Sequence, residues 1–283
     1  MVTSSEGGLL PLGELAPLIA QARAIIGHAT RISIFTGAGV SAESGIPTFR
    51  DQGGFWTRFP PAQFANWAGL QHLIQKDPLR VAEFVVELLR PILNARPNPA
   101  HETIAALEAL DKTVTVITQN IDGLHQLAGS TRVIEIHGSV FEVLQTNAGP
   151  PIGIRRLQRA DLSVTVSELE EFLRTGNSDT ARFLHAARSI FGRNSQGFYR
   201  PNLVLFGDVL PQDAWQQATA AADTRDCLLV IGTSNLITPA STIPEIARSK
   251  GAKIIAIGYD PCPCDVCLRG AAGIILPYVK ENK

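Results

Sequence analysis

The chain of 283 residues carries 25 basic and 26 acidic side chains, a formal net charge of −1, and 45% hydrophobic residues. This composition predicts a globular protein with one large core, or a core and a satellite domain, and it excludes an overall field that would attract nucleic acid or an anionic membrane. No apolar run reaches the roughly 18 residues that a membrane-spanning helix needs, and residues 1–15 lack a basic segment followed by an apolar core, so we expect neither a membrane span nor secretion.

Helical and strand patterns alternate along most of the chain. A helical pattern over residues 14–29 leads into the apolar strand 31–36, and residues 37–39 form a glycine turn with an expected helix start. Further helices are predicted at 99–110, 213–222 and 244–249, and further strands at 113–117, 132–136, 203–206, 228–231 and 253–257. Because the strands are apolar nearly throughout and helices separate them, we predict an α/β fold with a Rossmann-like parallel sheet flanked by helices.

Two segments interrupt this alternation. Residues 51–98 contain many aromatic residues and prolines before a helical pattern at 79–93, and residues 145–200 are polar and partly helical. We expect both segments to be insertions that form a cofactor loop and a smaller domain. Residues 1–50, 99–144 and 201–283 are then assigned to the large domain.

The glycine turn after the first strand has the form Gly37-x-Gly39-x-x-Ala42. Glycines at this point let the backbone approach a phosphate closely. Glycine turns after strands are common, however, and no acidic residue is evident at the end of the next strand, where a dehydrogenase would carry one. The turn alone therefore leaves a dinucleotide site and an ordinary tight turn as open alternatives.

Five longer motifs carry a resemblance to a known family. They are GAGVSAESGIPTFRD at 37–51, TQNIDGLH at 118–125, EIHG at 135–138, NLVLFGDVLP at 202–211 and GTS at 232–234. In this order they resemble the sirtuin family. The resemblance implies NAD-dependent removal of acyl groups from lysine, with release of nicotinamide and transfer of the acyl group to ADP-ribose, on a large NAD-binding Rossmann domain and a smaller domain across a cleft.

The resemblance also implies roles for polar residues at the strand ends. Gln119 and Asn120 would orient the ribose beside nicotinamide, and Asp122 with the backbone of Ile121 would bind the nicotinamide carboxamide. Without the resemblance, a turn cap is an alternative explanation of Asn120 and Asp122. The other cofactor-binding residues that the resemblance implies are Gly37, Ala38, Gly39, Ser41, Ile46, Phe49, Arg50, Asp51, Gly232, Thr233, Ser234, Asn235, Gly258 and Tyr259.

Phe49, Arg50 and Asp51 lie next to one another, and Gly258 departs from the family pattern. Phe49 would shield the reactive face of the sugar, and Arg50 and Asp51 belong to the cofactor loop. The family often has Asn at the position of Gly258, so one side-chain contact to the adenosine half of NAD is in doubt.

His137 follows a predicted strand, where a histidine is more often structural than catalytic. Its imidazole is nevertheless the side chain whose unperturbed pKa lies nearest neutrality. By resemblance, His137 is the general base that acts on the ribose hydroxyl system, and Asn120 is the second catalytic residue. The first alternative is a structural histidine in the core, and the second is a metal ligand.

The family typically binds a structural zinc ion with two Cys-x-x-Cys pairs, and this chain departs from that pattern. Gln145 and Ala148 occupy the positions of the first pair, and no cysteine lies between Ser139 and Asn202. Leu169, Phe172 and Leu173, and then Phe183, Leu184, Ala187 and Ile190, have helical spacing. We therefore expect a zinc-free, largely helical small domain held together by apolar packing.

The four cysteines are Cys227, Cys262, Cys264 and Cys267, a pattern unlike that of a secreted disulfide domain. We therefore expect an intracellular protein, cytoplasmic or nuclear. The cluster at 262–267 leaves three hypotheses: a plain thiol-bearing loop, a relocated metal site and a redox switch.

Val204, Leu205, Phe206 and Gly207 match the family strand that pairs with the substrate backbone, which implies an acyl-lysine protein or peptide as partner. Val85 and Leu88 stand where relatives that prefer acidic acyl groups carry Tyr and Arg, so neutral acyl groups are expected. We expect no direct nucleic-acid or membrane contact, and a larger complex stays open. Two other functions also stay open: an NAD hydrolase or ADP-ribosyltransferase, and a nucleotide sensor without turnover.

Overall fold

The computed structural model describes residues 12–48, 55–146, 151–195, 197–260 and 262–280. Its strands are β1 (Arg31–Thr36), β2 (Thr113–Thr118), β3 (Val133–Glu135), β4 (Gly138–Thr146), β5 (Pro151–Arg156), β6 (Gly192–Asn194), β7 (Gly197–Leu203), β8 (Cys227–Ile231), β9 (Lys253–Gly258) and β10 (Val266–Arg269). Its α-helices are α1 (Leu12–His28), α2 (Phe55–Arg58), α3 (Pro61–Phe64), α4 (Trp67–Lys76), α5 (Pro78–Asn94), α6 (Pro99–Leu107), α7 (Leu124–Leu127), α8 (Arg159–Thr175), α9 (Thr180–Ala186), α10 (Gln212–Asp223), α11 (Ile243–Ser249) and α12 (Ala272–Val279).

Six strands form a parallel sheet in the order β10-β9-β8-β1-β2-β3. Five consecutive residues of β1 and all five of β8 are buried. One face of the sheet packs on α1, α6 and α12, and the other packs on α10 and α11. The predicted α/β fold with a parallel sheet between helices is confirmed, because strands buried on both faces must be apolar along their whole length.

The helix α6 shows how the local sequence positions a buried side chain. The Asn98 side chain accepts a hydrogen bond from the Ala100 amide at 2.9 Å, and the Asn98 amide donates to His101 Nδ1 at 3.4 Å. This capping box and Pro99 in the first turn start the helix. The cap thereby places His101 inside the protein, next to the turn that follows β1.

A second sheet is antiparallel, in the order β5-β4-β7-β6. It packs with α4, α5, α8 and α9 around a separate apolar cluster that includes Leu162, Leu169 and Phe183. The helices α8 and α9 agree with the predicted helical spacing. The expectation of a largely helical small domain nevertheless missed this sheet, because the short strands are mostly polar on one side and lack a clear alternating pattern.

Two local predictions were wrong. The strand expected at 203–206 in the parallel sheet does not form, since β7 ends at Leu203 and pairs with β4 in the antiparallel sheet. The turn after β1 continues into the short 3-10 turns Ala38–Val40 and Ala42–Ser44 and does not start an α-helix. No helix in the part of the chain that the structure describes is both long and apolar enough to cross a membrane.

Candidate functional site

A cavity of about 890 Å³ lies at the carboxyl ends of β1, β2, β8 and β9, and the antiparallel sheet and α5 form its opposite wall. Most of the sequence-predicted site residues line it: Gly37, Ala38, Gly39, Gln119, Asn120, Ile121, His137, Val204, Leu205, Phe206, Gly207, Gly232, Thr233, Ser234, Gly258 and Tyr259. In parallel sheets, ligands bind at this edge because the loops there diverge. The tertiary structure thus brings five separate motifs to one concave site.

A smaller pocket of about 40 Å³ adjoins the cavity and shares Ala38, Phe55 and Asn120 with it. Ser41, Ile46 and Asp122 line this smaller pocket. Asn235 lines neither space, and the predicted residues Phe49, Arg50 and Asp51 lie outside the described residues.

The turns after β1 and β8 meet where the strand order reverses, since β1 lies between β2 and β8. The Gly39 amide donates to the Gly232 carbonyl oxygen at 2.8 Å. Gly232 has φ +58°, and a Cβ atom on it would lie 2.3 Å from the Val40 nitrogen. The close contact between the two turns therefore explains these glycines independently of any phosphate.

Asp122 is buried in a network of short hydrogen bonds behind the cavity. One carboxylate oxygen accepts from Ser41 Oγ at 2.7 Å and the other accepts from the Leu124 amide at 2.9 Å. Asn120 Nδ2 donates to the same Ser41 oxygen at 3.0 Å. Burial raises the pKa of the Asp122 carboxyl, and the Leu124 and Ser41 hydrogen bonds oppose that rise. The network holds a carboxylate at the base of the smaller pocket.

Two histidines that the sequence did not single out lie beneath this network. The rings of His101 and His125 are 4.9 Å apart, and His125 Nε2 lies 3.0 Å from Thr36 Oγ1. Burial lowers the pKa of His101 to about 4 and that of His125 to about 3, so both are neutral at pH 7. The motifs PAHE and GLHQ contain both, but only the fold shows that they touch.

His137 is half-buried and lines the cavity. Its Nδ1 lies 3.1 Å from the Gln119 carbonyl oxygen, which can only accept, so Nδ1 carries the proton and Nε2 is the basic nitrogen. Burial lowers the pKa of His137, and the bond to Gln119 opposes this effect. The next residue, Gly138, has φ +78°, and a Cβ on it would lie 1.9 Å from the Asn202 oxygen. The chain therefore turns sharply after the histidine.

The adenosine-side candidates Thr233 and Asn235 are connected to Gln119, the candidate for the ribose beside nicotinamide. Gln119 Nε2 donates to Thr233 Oγ1 at 2.9 Å, and this Thr233 oxygen also accepts from the Asn235 amide at 3.1 Å. Asn235 has φ +53°, and its Oδ1 is buried without a hydrogen-bond partner. Tyr259 is about half exposed, at 54%. The Asn235 Oδ1 has no hydrogen-bond partner among the described residues, and Asn235 is not part of the lining of either pocket.

The segment 204–207, predicted to bind substrate, is irregular and tied to its neighbours. The Val204 amide donates to the His137 carbonyl at 3.0 Å, and the Phe206 amide donates to the Ala65 carbonyl at 2.7 Å. The Leu205 amide donates to Asp208 Oδ2 at 3.1 Å. Of these three amides, only that of Leu205 donates to a side chain, and Asp208 Oδ2 also accepts from Trp67 Nε1 at 2.8 Å.

Glu135 is a buried carboxyl group that the sequence reading passed over. Burial is the main cause that raises its pKa to about 7, and the bond from the Gln126 side chain opposes it. Its Oε1 is buried without a partner among the described residues. Glu135 lies two residues before His137 but lines neither the cavity nor the smaller pocket.

Gln145, one of the two positions expected to lack a zinc ligand, lies in the antiparallel sheet. Gln145 Nε2, in β4, donates to Asn194 Oδ1, in β6, at 2.9 Å, and Ala148 is outside the described residues. The four cysteines are free. Within the described part of the chain, no group of three or more His, Cys, Asp or Glu is placed to hold a metal ion. The three cysteines Cys262, Cys264 and Cys267 therefore do not form such a group.

Known proteins share both the sequence and this arrangement. The Sir2 family profile matches residues 37–239. NAD-dependent protein deacylase 2 of Pyrobaculum aerophilum is 38% identical over 253 residues, which is 88% of this chain and 89% of the relative. A Sir2 homologue solved with NAD is 30% identical, with a TM-score of 0.69 over 92% of both chains.

A Sir2 structure with a deacetylated p53 peptide and 3′-O-acetyl ADP-ribose is 27% identical, with a TM-score of 0.71 over 92% of this chain and 96% of the other. The family profile covers more than half of the chain, and the Pyrobaculum relative exceeds 30% identity over most of it. This chain therefore belongs to the Sir2 family, the sirtuins.

Proposed function

We propose that this protein is an NAD-dependent protein deacylase that removes a neutral acyl group from a lysine side chain and transfers it to ADP-ribose. The observation that carries the proposal is the position of His137. Its ring lines the cavity at the carboxyl ends of four parallel strands, and its Nε2 is the basic nitrogen. The relative from Pyrobaculum aerophilum bears the name of this activity.

The site residues fit NAD by their chemistry. Asp122 and the Ile121 backbone offer acceptor and donor groups for a carboxamide beside the smaller pocket. Asn235 stays assigned to the adenosine-side ribose by resemblance. We assign the phosphates to the turns at Gly37–Gly39 and Gly232–Ser234 by resemblance. The Gly37, Gly39 and Gly232 amides themselves donate to the main-chain oxygens of Ile231, Gly232 and Ile257. When bound, NAD supplies the ribosyl carbon that accepts the acyl oxygen and loses nicotinamide.

The protein contributes orientation and one proton transfer. Gln119 and Asn120 position the ribose next to nicotinamide, and Asn120 is itself held by Ser41. His137 Nε2 removes a proton from the ribose hydroxyl system, while Gln119 keeps Nδ1 protonated and the ring oriented. Phe49, Arg50 and Asp51 stay assigned to the cofactor loop by resemblance.

Neutral acyl groups are favoured by the wall of the cavity. Val85 and Leu88 line it where an acidic acyl group would need a phenol and a guanidinium. Among the described lining residues there is no Lys or Arg, and Asp208 and Asp260 are acidic. A carboxylate on the acyl chain would therefore lose its hydration without gaining a cation.

We further propose that the substrate peptide pairs with the segment 204–207. Since the Leu205 amide donates to the Asp208 side chain, a peptide carbonyl can replace that carboxylate without breaking a main-chain bond. The Sir2 structure with a p53 peptide supports a peptide substrate for this fold.

We also propose the domain division given by the sequence, with residues 1–50, 99–144 and 201–283 in the large domain. The antiparallel sheet crosses these bounds, since β4 (Gly138–Thr146) and β7 (Gly197–Leu203) both lie in it. The small domain is proposed to be stable without zinc, because the Gln145–Asn194 bond and the apolar cluster around Phe183 join its strands and helices. An intracellular location, cytoplasmic or nuclear, stays part of the proposal and is consistent with four free cysteines.

The test incubates purified protein with NAD and one lysine peptide carrying an acetyl, a longer alkanoyl or a succinyl group. Peptide mass, nicotinamide and acyl-ADP-ribose are followed together, with and without a zinc chelator. We expect equal amounts of all three products from neutral acyl groups, little turnover of succinyl-lysine, and no effect of the chelator.

Nicotinamide release without peptide deacylation would overturn the deacylase in favour of an NAD hydrolase or ADP-ribosyltransferase. NAD binding without nicotinamide release would support the sensor without turnover. Loss of activity with the chelator, restored by zinc, would overturn the zinc-free domain and leave the deacylase in place.

A further inference from the structure

The smaller pocket has two walls that come from different parts of the chain. One wall is the turn after β2, with Asn120, Ile121 and Asp122. The other is the C-terminal half of α5, with Leu88, Pro91 and Ile92. Its width therefore depends on how firmly α5 is held against the turn.

Arg159, the first residue of α8, is bound to the α5 wall. Its guanidinium donates to the Ile92 carbonyl at 2.9 Å and to the Ala95 carbonyl at 3.4 Å. These carbonyls lie at the C-terminal end of α5, where no helical amide follows to bond them and where the helix dipole attracts a cation. Arg159 is therefore a cap on the helix that forms one side of the pocket.

The same guanidinium also reaches the other wall through Phe141. Its central carbon is 5.4 Å from the centroid of the Phe141 ring. That ring lies on Gly123, since a Cβ on Gly123 would be 3.1 Å from it. The neighbouring Val140 amide donates to the Ile121 carbonyl at 3.1 Å, so β4 holds the turn from the same side.

The charge of Arg159 acts on this wall as well. It is one of the groups that oppose the burial-driven rise in the pKa of Asp122. Arg159 Nε is buried without a hydrogen-bond partner among the described residues, which is a cost that simple packing would avoid. The contacts of Arg159 thus connect both walls, and its position in α8 couples them to the small domain.

We propose that Arg159 is a positioning residue for nicotinamide, which holds the end of α5 and the Ile121–Asp122 turn at the spacing that the nicotinamide carboxamide requires. This inference rests on the proposed function, because it takes the smaller pocket as the nicotinamide site. Through Arg159, the small domain then directly influences the release of nicotinamide and inhibition by nicotinamide.

The test compares Arg159→Gln with wild type and with Arg155→Gln. Arg155 is a matched control in the same domain, since it also donates to a carbonyl, that of Ser189 at 3.0 Å, and stacks on an aromatic ring, that of Tyr199 at 5.7 Å. The readouts are the inhibition constant of nicotinamide, exchange of labelled nicotinamide into NAD, and the KM of the acyl peptide.

We expect Arg159→Gln to weaken inhibition by nicotinamide about fivefold, the effect of roughly one lost hydrogen bond, with the peptide KM changed less than about twofold. Arg159→Lys should recover part of this loss, because it keeps the charge but not the fork of donors. Arg155→Gln should leave the inhibition constant unchanged.

Equal changes in the nicotinamide constant and the peptide KM, or an equal effect of Arg155→Gln, would overturn the proposal. If Arg159→Gln does not fold, Phe141→Leu decides in its place, with the same selective loss expected and no change overturning the proposal. Failure of the wild type to consume NAD with any acyl peptide would overturn the proposed function instead, and calorimetric titration with nicotinamide would then test the pocket alone.

Discussion

The Nδ1 nitrogen of His137 lies 3.1 Å from the main-chain oxygen of Gln119, and this contact determines which ring nitrogen is basic. Gln119 in turn donates from its side chain to Thr233. Gln119, in the turn after β2, therefore orients the imidazole and also contacts the turn after β8, so the proposed base and the proposed cofactor-binding turns are positioned together.

Replacement of His137 by Ala should abolish deacylation while NAD affinity stays near the wild-type value, because the proposed mechanism gives the ring a role in proton transfer and none in cofactor binding. Deacylation is measured by peptide mass and NAD affinity by calorimetry. His185→Ala, at an exposed position of α9, is the control and should keep full activity. Turnover like that of wild type in His137→Ala would remove the histidine from the mechanism.

The pH profile offers a separate check on His137. Burial lowers its pKa below the ordinary value of 6.5, so the neutral, basic form persists at lower pH. The acid limb of kcat/KM for wild type should therefore lie below pH 6.5 and should be absent from the residual rate of His137→Ala. An acid limb above that value would contradict the assignment.

Gly232→Ala should disrupt the contact between the turns after β1 and β8. The new Cβ would lie 2.3 Å from the Val40 nitrogen and would also require φ +58°. We expect a loss of more than about 3 kcal/mol in the free energy of unfolding, together with loss of NAD binding. Gly251→Ala is the control, since Gly251 has φ +86° but no atom within 4 Å, and should cost only about 1 kcal/mol. Similar losses of unfolding free energy in both variants would show that the positive φ alone, and not the contact between the turns, causes the destabilisation.

Glu135 should make stability depend on pH. Its folded pKa of about 7 exceeds the reference value of 4.5, so its stabilising contribution is complete below pH 4.5 and is lost as the pH rises through 7. The wild type should lose about 2 to 3 kcal/mol from this group over that interval, and Glu135→Gln should not. Urea unfolding at several pH values measures the difference. Glu171→Gln, in an exposed ion pair with Arg174, should follow the wild-type curve.

Phe183→Ala should destabilise the small domain. The Phe183 side chain is fully buried between Phe172 and Phe191, with ring centroids at 6.0 and 6.4 Å. The cavity left behind should cost about 3 to 5 kcal/mol and increase hydrogen exchange over residues 151–195. Leu184→Ala, at the next and more exposed position, should cost less than about 1 kcal/mol. Equal effects would show that Phe183 does not hold the small domain together.

Much of the fold could be read from local patterns. The buried strand β1 has the predicted bounds, and α11 differs from its predicted bounds by one residue. By contrast, the segment around Leu203 is apolar like the core strands and was placed among them. Its strand hydrogen bonds are made with β4. Which strand it pairs with depends on contacts between residues that are distant in sequence.

The candidate site shows the same division. The sequence indicates Asn120, Asp122 and His137 as candidate site residues because each follows a strand within a recognisable motif. Arg159, Glu135 and the pair of His101 and His125 carry no comparable local pattern. Their environment comes from burial and from residues distant in sequence, such as Ile92 beside Arg159.

By itself the sequence determined the α/β class, the order of most strands and helices, and the motifs that indicate NAD-dependent deacylation. These features are local, because hydrophobic period and turn chemistry act over a few residues. Only the tertiary structure decided that Gly39 and Gly232 must be glycine for two turns to touch, that a second sheet supports the small domain, and that Arg159 connects the two walls of the smaller pocket. Steric contact, pKa and pocket width depend on which atoms meet in space, and sequence spacing does not contain that information.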